Sequence, residues 1–202
     1  QPERFPIQIA DNLNTLGVIA LDVNELEKAE ELLREAIDKT QHYQRDHLLL
    51  SKIYDNLGFA YYLLGRENER LSSYRRSISI AKKYQNGKFW ASNSYLNLGE
   101  HFLNKNQPDS AIYYIRMCSR ERIAVFGERH FESSAAFEHL GISFRTIGIY
   151  DSALFYFEKA LAPYKDLVAG ASSNAVYGNE DYLLSIILIS EKAQLFIDEY
   201  LN

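Results

Sequence analysis

The chain has 202 residues, enough to bury a core without covalent staples, and 47% of them are apolar against 24% charged, which excludes a disordered or fibrous chain. A formal charge of −5 and a pI near 5.6 argue against nucleic acid as the main ligand, because phosphate neutralisation needs a clustered basic surface. One cysteine, Cys118, excludes an intrachain disulfide and a Cys₂ or Cys₄ zinc framework, and no apolar run, Ile186 to Ile189 included, approaches the roughly 20 residues of a membrane span. Gln stands at position 1 and the only Met is Met117, so the chain reads as a processed piece and nothing follows about a signal peptide. The aromatic content is lopsided, with 15 Tyr and 11 Phe beside a single Trp.

In chain order the same phrase returns four times: Leu16-Gly17, Leu57-Gly58, Leu98-Gly99 and Leu140-Gly141, at spacings of 41, 41 and 42. Three residues before each Leu stands a bulky residue (Leu13, Tyr54, Tyr95, Phe137), and three after each Gly come Ala20, Tyr61, Phe102 and Phe144. That spacing is one face of a helix. Seven residues after each Gly stand Asn24, Gly65, Asn106 and Gly148, the two residue types that enter the left-handed region at low cost, so each first helix is expected to stop there and turn back. A second helix follows, with Pro108 suited to a first turn. Its face carries Ala29, Leu33 and Ala36 in the first repeat, Ala111, Ile115 and Cys118 in the third, and Ala153, Phe157 and Ala160 in the fourth. The second repeat keeps Tyr74 but has Arg70 and Ser77 at the small positions, so its helices are expected to pack less closely. The hairpins are predicted at about 6–45, 46–86, 87–127 and 128–166. A loop rich in small and polar residues follows at 167–181, then a helix at 182–202 whose apolar residues are too many for one stripe. It is read either as covered on both sides in the intact protein or as a cap folded into the fourth hairpin.

The aromatic/Leu-Gly/aromatic first helix and the Ala/aromatic/Ala second helix resemble the tetratricopeptide repeat over roughly residues 6 to 166. The usual repeat-ending proline is missing, and the period exceeds the usual 34 by about two helical turns. Similar long repeats occur in kinesin light chains, in bacterial peptide-pheromone receptors and in the arrays that precede CHAT protease domains. The linker Val125 to Phe131 looks like the inter-repeat segment of the light-chain and CHAT-associated classes, and the loop and helix of the tail are similar in layout to the segment joining the repeats to the CHAT domain. The resemblance implies an all-α, right-handed solenoid of four helical hairpins plus a C-terminal helix.

It also implies a concave groove lined by the first helices. Counted from each Leu-Gly, the groove positions are Asp11, Asn14 and Val18, then Lys52, Asp55, Phe59 and Tyr62. The third repeat gives Asn93, Leu96, Glu100 and Asn104, and the fourth Ala135, Glu138, Ile142 and Arg145. The residues expected to bind a partner are Asn14, Asp55, Phe59, Tyr62, Asn93, Glu100, Asn104, Glu138 and Arg145. The Lys-rich carboxylate clamp of chaperone-binding members is absent, since Asn14 or Asp55 stands at its leading position. Asp55, Glu100 and Glu138 favour a neutral or basic protein or peptide, with Phe59 and Tyr62 as anchors. Asn56 and Asn97 are read as hydrogen-bonders between hairpins. The alternative is that the groove positions are solvated helix faces and contact lies elsewhere.

Nothing in the sequence supports catalysis, a cofactor or a metal. The five histidines form no i, i+4 pair, Gly87-Lys88 lacks the upstream glycine of a phosphate loop, and Asp22-Asn24-Leu26 fails as a calcium loop. Cys118 falls on a core position. The expected function is a non-catalytic protein-interaction module, as the regulatory repeat region of a larger bacterial protein such as a CHAT protease. A peptide sensor coupled to a signalling domain is the alternative. The compartment stays open, with the cytoplasm favoured over the periplasm.

Overall fold

The computed structural model describes residues 5–43 and 48–170. Eight α-helices and one short 3-10 turn, Gln85–Gly87, make up the regular structure of the described residues, which contain no strand. The helices are α1 (Pro6–Asp22), α2 (Leu26–Tyr43), α3 (Leu48–Leu63), α4 (Glu67–Ala81), α5 (Lys88–Asn104), α6 (Pro108–Phe126), α7 (Phe131–Thr146) and α8 (Tyr150–Gly170). The chain divides into two compact units whose boundary falls between Leu98 and Gly99, inside α5. The C-terminal helix read from the sequence at 182–202, and most of the preceding loop, lie outside the described residues. Residues 167–170 of that loop are helical, because α8 runs through Pro163. A proline inside a helix removes one hydrogen bond. Here the next residue, Tyr164, is buried with its ring 5.1 Å from that of Phe131, which holds the extension in place.

Each hairpin turn is built the same way. Asn24, Gly65, Asn106 and Gly148 have φ of 62°, 71°, 54° and 75°. In the first turn the Asn24 amide donates to the Leu21 carbonyl (3.0 Å) and the Glu25 amide to the Ala20 carbonyl (2.8 Å). The same two bonds recur from Gly65 and Arg66, from Asn106 and Gln107, and from Gly148 and Ile149. This double bond pattern satisfies carbonyls that a helix end leaves open. The following carbonyl then starts the second helix at once: Glu25 accepts from Ala29, Arg66 from Arg70, Gln107 from Ala111 and Ile149 from Ala153. Three residues therefore reverse the chain, and the two helices have to lie antiparallel and close together.

The Leu-Gly glycine makes that closeness possible. A Cβ on Gly17 would lie 2.8 Å from Leu33 Cγ, on Gly58 2.5 Å from Tyr74 Cε1, on Gly99 2.4 Å from Ile115 Cγ1, and on Gly141 2.7 Å from Phe157 Cδ1. Each of those side chains is almost fully buried. The looser packing expected in the second repeat is not found, since the Gly58 to Tyr74 approach is as tight as the others. Ser77 is fully buried and hydrogen-bonded there, and Arg70 lies over the Tyr62 ring at 5.2 Å.

In the N-terminal unit, Leu33, Ile37, Leu50, Ile53 and Leu57 form the core between α1, α2 and α3. At its margin Glu30 accepts hydrogen bonds from Arg34 and from the Tyr61 hydroxyl and pairs with Arg66 at 2.8 Å. Burial alone raises the Glu30 pKa, but these partners more than offset it and hold the carboxyl below its ordinary value. In the C-terminal unit aromatic rings fill the same space between first and second helices. Phe102 stacks on Tyr114 at 5.3 Å and Phe144 on Tyr156 at 5.4 Å. The linker before α7 is fixed by buried Arg122, which donates to the Glu132 carbonyl (2.7 Å), and by Ser133 Oγ donating to the Gly127 carbonyl (2.8 Å).

Two substitutions separate the turn from the packing. Gly58→Ala pushes a methyl group into Tyr74 and is expected to cost about 1–3 kcal/mol in urea unfolding, partly restored by adding Tyr74→Leu, the side chain that the first repeat uses. Gly65→Ala meets no neighbouring atom, so its expected cost of about 1–2 kcal/mol comes from the backbone alone. Gly65→Asn is expected to cost clearly less, because Asn24 and Asn106 already occupy that conformation. Equal destabilisation by Ala and Asn contradicts this account of the turn.

Candidate functional site

In the N-terminal unit the residues Lys52, Asp55, Phe59 and Tyr62 fall at 3- and 4-residue intervals along one face of α3. The polar half of this face is stitched from helix to helix. Lys52 Nζ lies 3.4 Å from Asp11 Oδ1 of α1. Asn56 Nδ2 donates to Asn14 Oδ1 at 2.8 Å, and Asn97 Nδ2 to Asp55 Oδ1 at 3.3 Å. Both asparagines preceding Leu-Gly therefore bridge hairpins. Asn14 is corrected as a binding residue: it is 1% exposed and its carbonyl faces Asn56, so it holds α1 to α3 and has no surface to offer a partner.

Asp55 ends a buried hydroxyl chain. Ser94 Oγ is 2.5 Å from Asp55 Oδ1 and 2.7 Å from Ser77 Oγ, which is 3.0 Å from Ser51 Oγ. Ser94 Oγ is placed to donate to Asp55 Oδ1 or to Ser77 Oγ, and its one proton goes to the carboxylate, which only accepts. The Asp55 charge is thereby stabilised by donors from α5, and Ser77, an oddity among the small positions, is the middle link.

The other half of the face is aromatic. Phe59 is 43% and Tyr62 49% exposed, with ring centroids 6.0 Å apart and planes at 28°. Arg70 of α4 covers one side of Tyr62. Large aromatic rings held in place but open to solvent match the residue types that dominate binding energy at interfaces. At the opposite end of α3 a cleft of about 300 Å³ opens between Ile7, Asp11, Leu48, Leu49, Lys52 and Trp90. The Lys52 ammonium lies 5.8 Å from the centre of the Trp90 indole. Sequence reasoning passed over Trp90 because it falls one turn before the counted groove positions. The available signal was that it is the only Trp of the chain. Asn93, on the same helix, is partly buried.

In the C-terminal unit Glu100 Oε1 lies 2.7 Å from His139 Nε2, and His139 Nδ1 lies 3.0 Å from the Ala135 carbonyl. Asn104 is exposed, whereas Glu138 and Arg145 are half-buried. Glu100 is thus engaged by the next first helix, as Asp55 is in the other unit. Cys118 is fully buried, and burial pushes its thiol up to about 12, so it stays protonated and unreactive at neutral pH. Among the described residues no three His, Cys, Asp or Glu side chains gather as a metal site, and no helix is long and apolar enough to cross a membrane.

Comparison with known proteins follows the same lines. Residues 51–84, covering most of α3 and all of α4, match the family model for the tetratricopeptide repeat. No curated protein sequence matches the chain. Among solved structures the chain is similar to BtubC (BKLC) from P. vanneervenii, with a TM-score of 0.72 at 19% identity over 96% of this chain and 83% of that one. It is also similar to a candidate kinesin light chain of Podosopora anserina with nearly identical TPR-like repeats (TM-score 0.69, 13% identity, 96% and 94% covered). A third likeness is to the apo form of RapI (TM-score 0.66, 12% identity), where 93% of this chain covers 51% of the other. The described helices have the all-α helical-repeat fold of those structures, and residues 51–84 among them are similar to a tetratricopeptide repeat.

Proposed function

We propose that the chain is a non-catalytic protein-interaction scaffold that holds a peptide or protein segment against the face of its first helices. The observation that carries this reading is the Phe59 and Tyr62 pair, exposed and stacked beside a polar floor whose groups already bond one another. A partner gains little by competing for that floor and much by covering the rings, and a Tyr62 ring already covered by Arg70 and stacked on Phe59 loses little freedom on binding. In the N-terminal unit Asp55 favours a neutral or basic segment, with Asn93 as a polar contact; in the C-terminal unit Glu100 and Glu138 favour the same, with Asn104 and Arg145 as polar contacts. A finer reading rests on the resemblance of the 125–131 linker to CHAT-associated arrays: the chain serves as the regulatory repeat region of a multidomain bacterial protein, and the protease chemistry lies outside it. A reading frame with a His–Cys protease domain after Asn202 supports that refinement, and one without it removes it.

Selection of displayed random peptides on the immobilised chain tests the main reading. Enriched peptides are expected to be neutral or basic with an aromatic or aliphatic anchor. The double variant Phe59→Ala/Tyr62→Ala is expected to bind them at least 10-fold more weakly, roughly 1.4 kcal/mol or more, while urea unfolding shifts by no more than about 0.5 kcal/mol per site. Undiminished binding to the double variant removes this face as the site. A change in the small-angle scattering profile on binding moves the reading to a peptide sensor.

A further inference from the structure

One position of the repeat carries an aromatic ring in the C-terminal unit and lacks it in the second repeat. Fifteen residues after the Leu-Gly glycines stand Leu32, Ser73, Tyr114 and Tyr156. Tyr114 stacks on Phe102 with planes at 1°, and Tyr156 on Phe144 with planes at 6°. The residue they cover, three after the glycine, is Ala20 in the first repeat, opposite Leu32, and Tyr61 in the second, opposite Ser73. Serine is too short to cover a tyrosine ring. Arg34 and Arg66 lie 5.9 and 6.0 Å from the centre of the Tyr61 ring, but no aromatic ring among the described residues stacks on it.

The exchange of Tyr for Ser leaves a cleft of about 600 Å³ between α2 and α4, a size at which small-molecule sites are found. Its floor is Tyr54, Leu57 and Tyr61 of α3. Two guanidiniums reach down the walls: Arg34 of α2 donates to the Tyr61 hydroxyl at 2.7 Å, and Arg76 of α4 to the Tyr54 hydroxyl at 2.8 Å. Asp38 and Glu69 also line the cleft, so its charged groups are two of each sign. Ser73 faces the cleft from α4, 5% exposed, and its hydroxyl has no hydrogen-bond partner among the described residues. A buried hydroxyl without a partner is a cost that a ligand able to bond it removes.

We infer that this cleft binds a phenol, a neutral ring that enters between α2 and α4 with its hydroxyl leading, bonds Ser73 Oγ and rests on the floor beside Tyr61. The repeat register says why the guest is a ring, since the third and fourth repeats hold a tyrosine ring at that place. The balanced lining says why it is neutral, and Ser73 says why it carries a hydroxyl. Tyr54, Leu57 and Tyr61 fall on a different face of α3 from Phe59 and Tyr62, so either proposal stands without the other.

Saturation-transfer NMR titrations with N-acetyltyrosinamide, N-acetylphenylalaninamide, p-cresol and 4-hydroxyphenylacetate test this. The tyrosine derivative is expected to bind saturably and about 5-fold or more tighter than the phenylalanine derivative, because the latter leaves Ser73 unpaired. Ser73→Ala keeps the cleft and is expected to erase that preference. Ser73→Tyr supplies the ring from the chain itself, as the third and fourth repeats do, and is expected to raise the urea midpoint and abolish binding. Binding of p-cresol as tight as that of N-acetyltyrosinamide assigns the cleft to a free phenol, and binding about 5-fold weaker assigns it to a tyrosine within a peptide. The inference is overturned by absence of saturable binding, by equal affinity for the tyrosine and phenylalanine derivatives, or by tighter binding of the anionic 4-hydroxyphenylacetate than of p-cresol. A Ser73→Tyr chain that is less stable than the parent, or that binds the probes undiminished, overturns it as well.

Discussion

Four chain reversals of three residues each set the geometry on which the rest depends. One residue at positive φ lets two amides reach back to the end of the first helix, while the next carbonyl already starts the second. Helices joined this tightly approach until side chain meets backbone, and a Leu, Tyr, Ile or Phe then rests on the bare Cα of the Leu-Gly glycine. Turn and glycine are complementary parts of one constraint. The turn brings the helices together, and the missing Cβ gives them room.

That constraint also decides which surfaces are left for function. The second helices and one side of each first helix are committed to packing, so the remaining side of α3 is where polar and aromatic residues can differ between repeats. The polar ones mostly bond across to the next first helix: Asn14 with Asn56, Asp55 with Asn97 and Ser94, Glu100 with His139. These bonds lie 39 to 42 residues apart in sequence, one repeat length, and each connects helices within its own compact unit. They satisfy groups that would otherwise compete for a ligand, and the Phe59 and Tyr62 rings are left as the open part of the face.

Much of the fold was legible because each recurring residue performs a task few others can. Asn or Gly at 24, 65, 106 and 148 was readable from the cost of positive φ, and the glycines at 17, 58, 99 and 141 from their fixed spacing. The bridging roles of Asn56 and Asn97 were readable as well, since an amide in the middle of a packed helix needs a partner. Less legible was anything that depends on what faces a position. Asn14 fell on a groove position by count, but Asn56 lies opposite and draws it inward. Ser77 seemed a defect of the second repeat until Ser51, Ser94 and Asp55 were seen around it. A loop was expected from 167, but the packing of Tyr164 on Phe131 supports α8 beyond Pro163 and the helix runs on to Gly170. Trp90 lay outside the counted positions although it lines the cleft beside Lys52.

Trp90 also supplies the most direct test of the central claim that the first-helix face of the N-terminal unit receives the partner. As the single tryptophan it reports, without any label, on the cleft at the other end of α3 from Phe59 and Tyr62, which a segment laid along the whole face also covers. Saturation with a bound peptide or protein lacking tryptophan is expected to shift its emission to shorter wavelength and to reduce its quenching by acrylamide. Emission and quenching that stay unchanged at saturation would place the partner elsewhere and contradict the account.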